Sequence, residues 1–172
     1  ETRSYGNKVK ASIALNAKGT LPLKVKQTFT VKVTKGAGDS VKSFKSSNTK
    51  VATVSKSGKV TAKKSGTAKI TVTLKSGKKA SFNVKVQKTA VKTKSVKLAV
   101  KTVTLKKGKS YKLSSKVTLN PITSKEKIKY STKSAKIATV SSAGTIKAKK
   151  KGTTYITVKS GSKSAKVKVV VK

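Results

Sequence analysis

The chain has 172 residues, with 44 Lys and Arg against three acids, Glu1, Asp39 and Glu126, for a formal net charge of +41, and it contains neither His nor Cys. Imidazole bases, thiol nucleophiles, disulfides and the usual soft metal ligands are thereby excluded, and almost no lysine can find a carboxylate partner within the chain. Every basic residue except Arg3 is lysine, so the molecule is a polycation that attracts polyanions and repels itself, both more strongly at low ionic strength.

Residues 1–8, within the opening "ETRSYGNK", read as a linker or non-native lead-in, and with Glu1 first and no Met the chain reads as a mature or excised piece of something longer. A first domain is expected over residues 9–88. Its strands show as period-two alternation of β-branched and polar residues: "TFTVKVT" around Phe29, Val31 and Val33, "AKITVTL" around Ile70, Val72 and Leu74, and "FNVKV" around Phe82, Val84 and Val86. Between them fall the turn signals "KGAGDS" from Lys35, "SSNTK" from Ser46, "SKSGK" from Ser55, "KKSG" from Lys63 and "KSGKK" from Lys75. Residues 89–94, without Gly or Pro, read as a short, stiff linker. A second domain follows over 95–172, with the same order of apolar pairs from Leu98 through Tyr111, Tyr130, Ile137, Ile146 and Ile156 to the final "KVKVVV".

The two halves are copies. "VATVSKSGKVTAKKSGTAKITV" from Val51 returns as "IATVSSAGTIKAKKKGTTYITV" from Ile137, 86 residues later. Phe29 then matches Tyr111 and Phe44 matches Tyr130, if extra residues of the second half fall in "KVTLNPITSKEK", residues 116–127. Short strands at this spacing predict an all-β fold of two tandem immunoglobulin-like β-sandwiches, about seven antiparallel strands each. No stretch approaches the roughly 18 apolar residues of a membrane span.

The run Ser46, Ser47, Asn48, Val51 to Ser55, Gly58, Val60 to Ala62, Gly66, Thr67 and Ile70 to Val72 resembles the bacterial immunoglobulin-like domain group 2 (BIG2) family. The second copy departs from it at Thr132, Lys133 and Ser134 but keeps Ile137 to Ser141, Gly144, Gly152, Thr153 and Ile156 to Val158. The resemblance implies a bacterial cell-surface, cell-wall-associated or secreted protein. Such modules serve as stalks of adhesins of the intimin and invasin kind, as spacers in cell-wall enzymes, and as binding domains.

The residues point away from catalysis. Ser and Thr lack a His base, and Asp39 and Glu126 belong to different halves, so neither a nucleophile with its base nor a carboxylate pair is expected. The calcium sites that the resemblance brings to mind need several acidic ligands, which the chain lacks. No cofactor is expected, Asp39 reads as a turn former, and Glu126 reads as a surface acid among lysines. The densest lysine clusters supply the candidate polyanion contacts: Lys63 and Lys64; Lys92, Lys94 and Lys97; Lys106, Lys107 and Lys109; and Lys149, Lys150 and Lys151. Sequence-reading nucleic-acid binders favour arginine, and single-strand binders interleave aromatics, so DNA should bind only non-specifically at low salt. Anionic polysaccharide or teichoic acid is the expected partner of a monomeric stalk and adhesion module. The alternatives are a module recognising a host surface protein, with Tyr155 and Phe44 as contacts and Tyr5 beside them, and a passive spacer of a larger cell-wall protein.

Overall fold

The computed structural model describes residues 10–172; the expectations for residues 1–8 and for Tyr5 lie outside the described residues. The chain divides into two compact units between Ala90 and Val91. In the first, alternation gives β1 (Ile13–Leu15), β2 (Thr20–Lys24), β3 (Thr28–Thr30), β4 (Val33–Lys35), β5 (Val41–Ser46), β6 (Ala52–Val54), β7 (Lys59–Ala62), β8 (Gly66–Leu74) and β9 (Lys79–Gln87). They form a four-stranded sheet ordered β2-β9-β8-β5, a three-stranded sheet β3-β7-β6 and the pair β1-β4.

The second unit repeats this with β10 (Ser95–Leu98), β11 (Thr102–Leu105), β12 (Ser110–Lys112), β13 (Val117–Asn120), β14 (Ile128–Thr132), β15 (Ala138–Val140), β16 (Thr145–Ala148), β17 (Gly152–Ser160) and β18 (Lys163–Val171). Its sheets are ordered β11-β18-β17-β14, β12-β16-β15 and β10-β13. Each unit has its own core. Leu23, Val60, Ile70, Val72 and Val84 are wholly buried in the first, and Leu113, Ile146, Ile156, Val158, Val167 and Val169 in the second. Burying such a side chain contributes roughly 1.5–3 kcal/mol each, which is how small sandwiches close without disulfides.

Two features differ from a sandwich of about seven antiparallel strands. First, "TFTVKVT" is not one strand. It breaks at Val31 and Lys32, where the Asn16 side chain satisfies the freed backbone, its amide donating to the Thr30 carbonyl at 3.1 Å and its Oδ1 accepting the Lys32 N–H at 2.8 Å. Alternation runs straight through the break, so the sequence shows no sign of it. Second, β2 pairs parallel with β9 and β11 parallel with β18. The first and last strands of each four-stranded sheet therefore run the same way, and the chain enters each unit at the end opposite to the one where it leaves.

The extra residues of the second unit are also divided rather than confined to 116–127. Leu113–Lys116 forms a 3-10 turn between β12 and β13, where the first unit has only Val31 and Lys32, and the remainder lies in loop 121–127. Leu113 is wholly buried, so the turn is held by the core. The departure from "SSN" is absorbed locally. The Ser46 hydroxyl donates to the Ala52 carbonyl at 2.6 Å, and Thr132 makes the equivalent bond to Ala138 at 2.9 Å.

Candidate functional site

One group of the second unit's lysines stands at the end where β18 finishes. The turn after β11 closes through Lys109 N–H to the Lys106 carbonyl at 3.1 Å, with Gly108 at φ +82°. Gly108 N–H then donates to the Ala148 carbonyl at 2.9 Å, and Ala148 N–H returns a bond to the Lys109 carbonyl at 2.9 Å. Lys107 N–H reaches the Lys172 carbonyl at 3.2 Å, while Lys149 and Lys150 N–H groups share the Ile137 carbonyl at 2.8 and 3.2 Å. This backbone ladder joins Lys106, Lys107 and Lys109 to Lys149, Lys150 and Lys151, and adds Lys172, which the sequence reading did not single out. All are exposed. With no Asp or Glu beside them, these exposed ammonium groups create a positive local field that attracts anions.

The same end of the first unit is a thinner version. Lys26 N–H donates to the Ala62 carbonyl at 2.9 Å, and Ala62 N–H to the Gln27 carbonyl at 3.0 Å. Lys63 and Lys64 therefore sit beside Lys24 and Lys26, also missed from sequence. Lys26 adopts φ +73° at the position where the second unit has Gly108. Val25, Gln27 and Ser65 stand where the second unit has Lys107, Lys109 and Lys151.

Lys92, Lys94 and Lys97 do not join the second unit's cluster. They belong to β10 and its lead-in, which starts from the opposite end of the unit, about 30 Å away along a nine-residue strand. Lys92 Nζ lies 3.4 Å from Glu126 Oε1, Lys94 N–H bonds to the Asn120 carbonyl, and Lys97 is paired in register with Thr118. Within residues 89–94, Val91 and Thr93 are buried.

The reading of Glu126 as a surface acid is corrected. Its side chain is only 20 % exposed, lies against Gly161, and accepts the Thr93 N–H at 2.8 Å. Beneath it the Thr93 hydroxyl bonds the buried Ser124 and Ser160 hydroxyls, each at 2.8 Å. Asp39 occupies the matching place in the first unit, two residues before the β5 residue that pairs with Leu74, as Glu126 is before the β14 residue that pairs with Ser160. Asp39 forms the expected turn, its Oδ1 accepting the Ser40 N–H at 2.9 Å, and it also ties that turn to the β8–β9 hairpin by accepting the Ser76 hydroxyl at 2.5 Å.

Both carboxyls are held below their ordinary range, Asp39 chiefly by the Ser76 hydroxyl and Glu126 chiefly by the Thr93 N–H, with Lys92 assisting. A lowered folded-state value means stability that is complete above the unfolded carboxyl range, near pH 4, and is lost as pH falls through the folded values. Acidification from neutral to below about pH 3 is therefore expected to lower the melting temperature, and the double variant Asp39→Asn, Glu126→Gln to melt lower at neutral pH with a flatter acid dependence. Melting curves against pH check this; an unchanged acid slope would mean that these carboxyls do not anchor the turns.

Of the aromatic candidates, Tyr155 is 41 % exposed, outward as its register requires. Phe44 is less exposed than Tyr155. It is half-buried against the core, and its ring lies where a Cβ on Gly58 would meet Cζ at 3.0 Å. Tyr130 covers Gly144 more tightly, at 2.6 Å from a hypothetical Cβ, with Gly144 at φ +82°. Gly144→Ala is expected to cost about 2–4 kcal/mol and Gly58→Ala, whose ring neighbour is looser, about 1 kcal/mol less. Thermal or denaturant unfolding of both variants checks the order.

The chain matches the family model described as "Bacterial Ig-like domain (group 2)" over residues 7–84 and 90–171. No curated protein matches it. Among solved structures it is similar to domains 4 and 5 of the S-layer protein SbsC, at 20 % identity and a TM-score of 0.41, covering 94 % of this chain and 97 % of that one. It spans only 28 % of a longer SbsC structure, at 23 % identity and a TM-score of 0.44, while 95 % of this chain is covered. Drosophila N-cadherin EC1-3 is similar at 10 % identity and a TM-score of 0.50, covering 93 % of this chain and 66 % of that one. With both halves matched in tandem, the chain belongs to the bacterial Ig-like domain (group 2) family.

Proposed function

We propose that this protein is a non-enzymatic stalk and adhesion module of a bacterial surface or secreted protein, and that it holds anionic polymers through the lysine end of its second unit. The observation that carries the reading is the backbone ladder that brings Lys106, Lys107 and Lys109 together with Lys149, Lys150, Lys151 and Lys172. The described acids, Asp39 and Glu126, are both occupied in hydrogen bonds at the other end of their units. The cluster therefore keeps its full charge for a partner. Lysine ammonium groups are point charges that suit flexible phosphates, sulfates or carboxylates, whereas planar recognition calls for arginine. Entry and exit at opposite ends of each unit suit a module strung in series along a stalk, and the thinner cluster of the first unit adds avidity wherever one polymer reaches both.

Recognition of a host protein has less support, since Phe44 is half-buried and Tyr155 alone of the two is exposed. The test is retention on immobilised heparin, purified teichoic acid and a neutral glycan at low salt and at about 0.15 M salt. Retention of an acidic polymer at the higher salt, with none on the neutral glycan, is the expected result. If nothing is retained there, the lysines are a solubilising coat and adhesion through them is wrong.

A further inference from the structure

The two copies differ sharply on one face. On the outer face of the second unit's four-stranded sheet, Tyr155 on β17 stands in register with Lys168 on β18, and Thr157 with Lys166 on one side and Ser131 on the other. Lys133 follows β14 and donates its N–H to the Tyr155 carbonyl at 2.9 Å. Ser131, Thr132, Lys133, Tyr155, Thr157 and Lys166 line a shallow groove of about 360 Å³, with Lys168 beside Tyr155 on the neighbouring strand. In the first unit the same positions hold Lys69 for Tyr155, Ser47 for Lys133, Lys45 for Ser131, Thr71 for Thr157, Ser81 for Lys166 and Asn83 for Lys168. The second unit's patch thus sets an exposed ring among Lys133, Lys166 and Lys168, where the first unit has Lys45 and Lys69 and no ring. Solubility would not ask for the ring, and the fold does not use it, since Ile156 and Val158 fill the core from the same strand.

We propose that this groove is a subsite for an acidic sugar, a carboxylated or sulfated pyranose within a polysaccharide. A pyranose has an apolar C–H face that can lie on the negative face of an aromatic ring. Its hydroxyls find Ser131 and Thr157, which both donate and accept, and its charge finds Lys133, Lys166 and Lys168. A polyol phosphate has the charge without a stiff apolar face to cover the ring. Single-stranded nucleic acid stacks on successive aromatics, and Tyr155 is the one exposed aromatic among the described residues. The inference rests on the polyanion reading above and narrows its ligand.

The variant Tyr155→Lys restores the residue of the first copy and adds a positive charge, so a purely electrostatic surface and a sugar subsite respond to it with opposite sign. Binding of the full chain to a polyuronate such as alginate, to inorganic polyphosphate and to poly(dT) is measured at about 0.15 M salt. Tyr155→Lys is expected to weaken polyuronate binding about five- to tenfold while polyphosphate binding is unchanged or tighter. Melting curves confirm that the exposed substitution leaves the fold intact. Tighter binding of both polymers overturns the subsite and leaves the polyanion reading standing. A loss for poly(dT) as large as that for the polyuronate overturns the sugar assignment in favour of base stacking. Wild-type chain that binds none of these polymers overturns both the subsite and the reading beneath it.

Discussion

Replacing Ile156 with Ala is expected to destabilise the second unit by about 3–4 kcal/mol and to leave the first unit's unfolding unchanged. Ile156 lies wholly buried in the middle of β17, paired with Val167 on β18 and Thr132 on β14. Truncation there removes transfer free energy and leaves a cavity that the paired strands on both sides cannot close. A domain of this size has roughly 5–10 kcal/mol of stability in all, so its melting temperature should fall by on the order of 15 °C. The first unit should not respond, because the buried cluster around Ile156 contains only residues of the second unit. Ile70→Ala, at the equivalent position, should reverse the pattern. Calorimetry of both variants, with the exposed Lys159→Ala as a control expected within about 0.5 kcal/mol, decides it. If either truncation shifts both transitions equally, the two cores are not energetically separate.

Changing Lys149, Lys150 and Lys151 to Gln should weaken binding to an acidic polymer by on the order of tenfold to a hundredfold at low salt. It should also reduce the salt slope by roughly two to three. Each ammonium that contacts the polymer releases a condensed counterion, so removing contacts lowers both the affinity and its dependence on salt. The same substitutions should not unfold the protein, since these side chains are exposed and the ladder beneath them runs through backbone atoms. Relief of self-repulsion at low ionic strength should, if anything, stabilise the second unit. A Lys92→Gln, Lys94→Gln, Lys97→Gln variant provides the contrast, because those residues lie towards the other end and Lys92 already faces Glu126. Filter or sensor-based binding across a salt series gives the comparison. Equal losses from both triple variants would mean that net charge alone, rather than the clustered end, sets the affinity.

The alternation of Val, Ile and Thr and the glycine-punctuated turns made the sandwich and its duplication legible, because burial on one face imposes a period of two wherever a strand is half-covered. Tyr155 and the inward residues of β8 and β17 followed from that register. What could not be read was geometry that depends on a distant side chain or partner strand. The break between β3 and β4 is bridged by Asn16 through hydrogen bonds spanning more than a dozen residues, with no local mark in "TFTVKVT". The parallel pairing of β2 with β9 is likewise a property of topology, which composition does not encode. The lysine clusters were visible singly, but their joining was not, since it rests on backbone bonds between turns some forty residues apart. Lys24, Lys26 and Lys172 were passed over because each stands outside a dense run. Glu126 was misread for the opposite reason. Its neighbours in sequence are lysines, while in space its carboxylate is tied down by the distant Thr93 N–H and Lys92.

The most direct test of the central claim is the binding constant of the intact chain for one acidic polymer, measured as a function of salt from about 0.05 to 0.2 M. Binding through the lysine end predicts a straight line of log affinity against log salt with a steep negative slope, about three or more, and measurable affinity remaining at the physiological end. A flat line would contradict the account by pointing to an apolar contact. Affinity that vanishes before physiological salt would contradict it by leaving the lysines as a coat on a stalk.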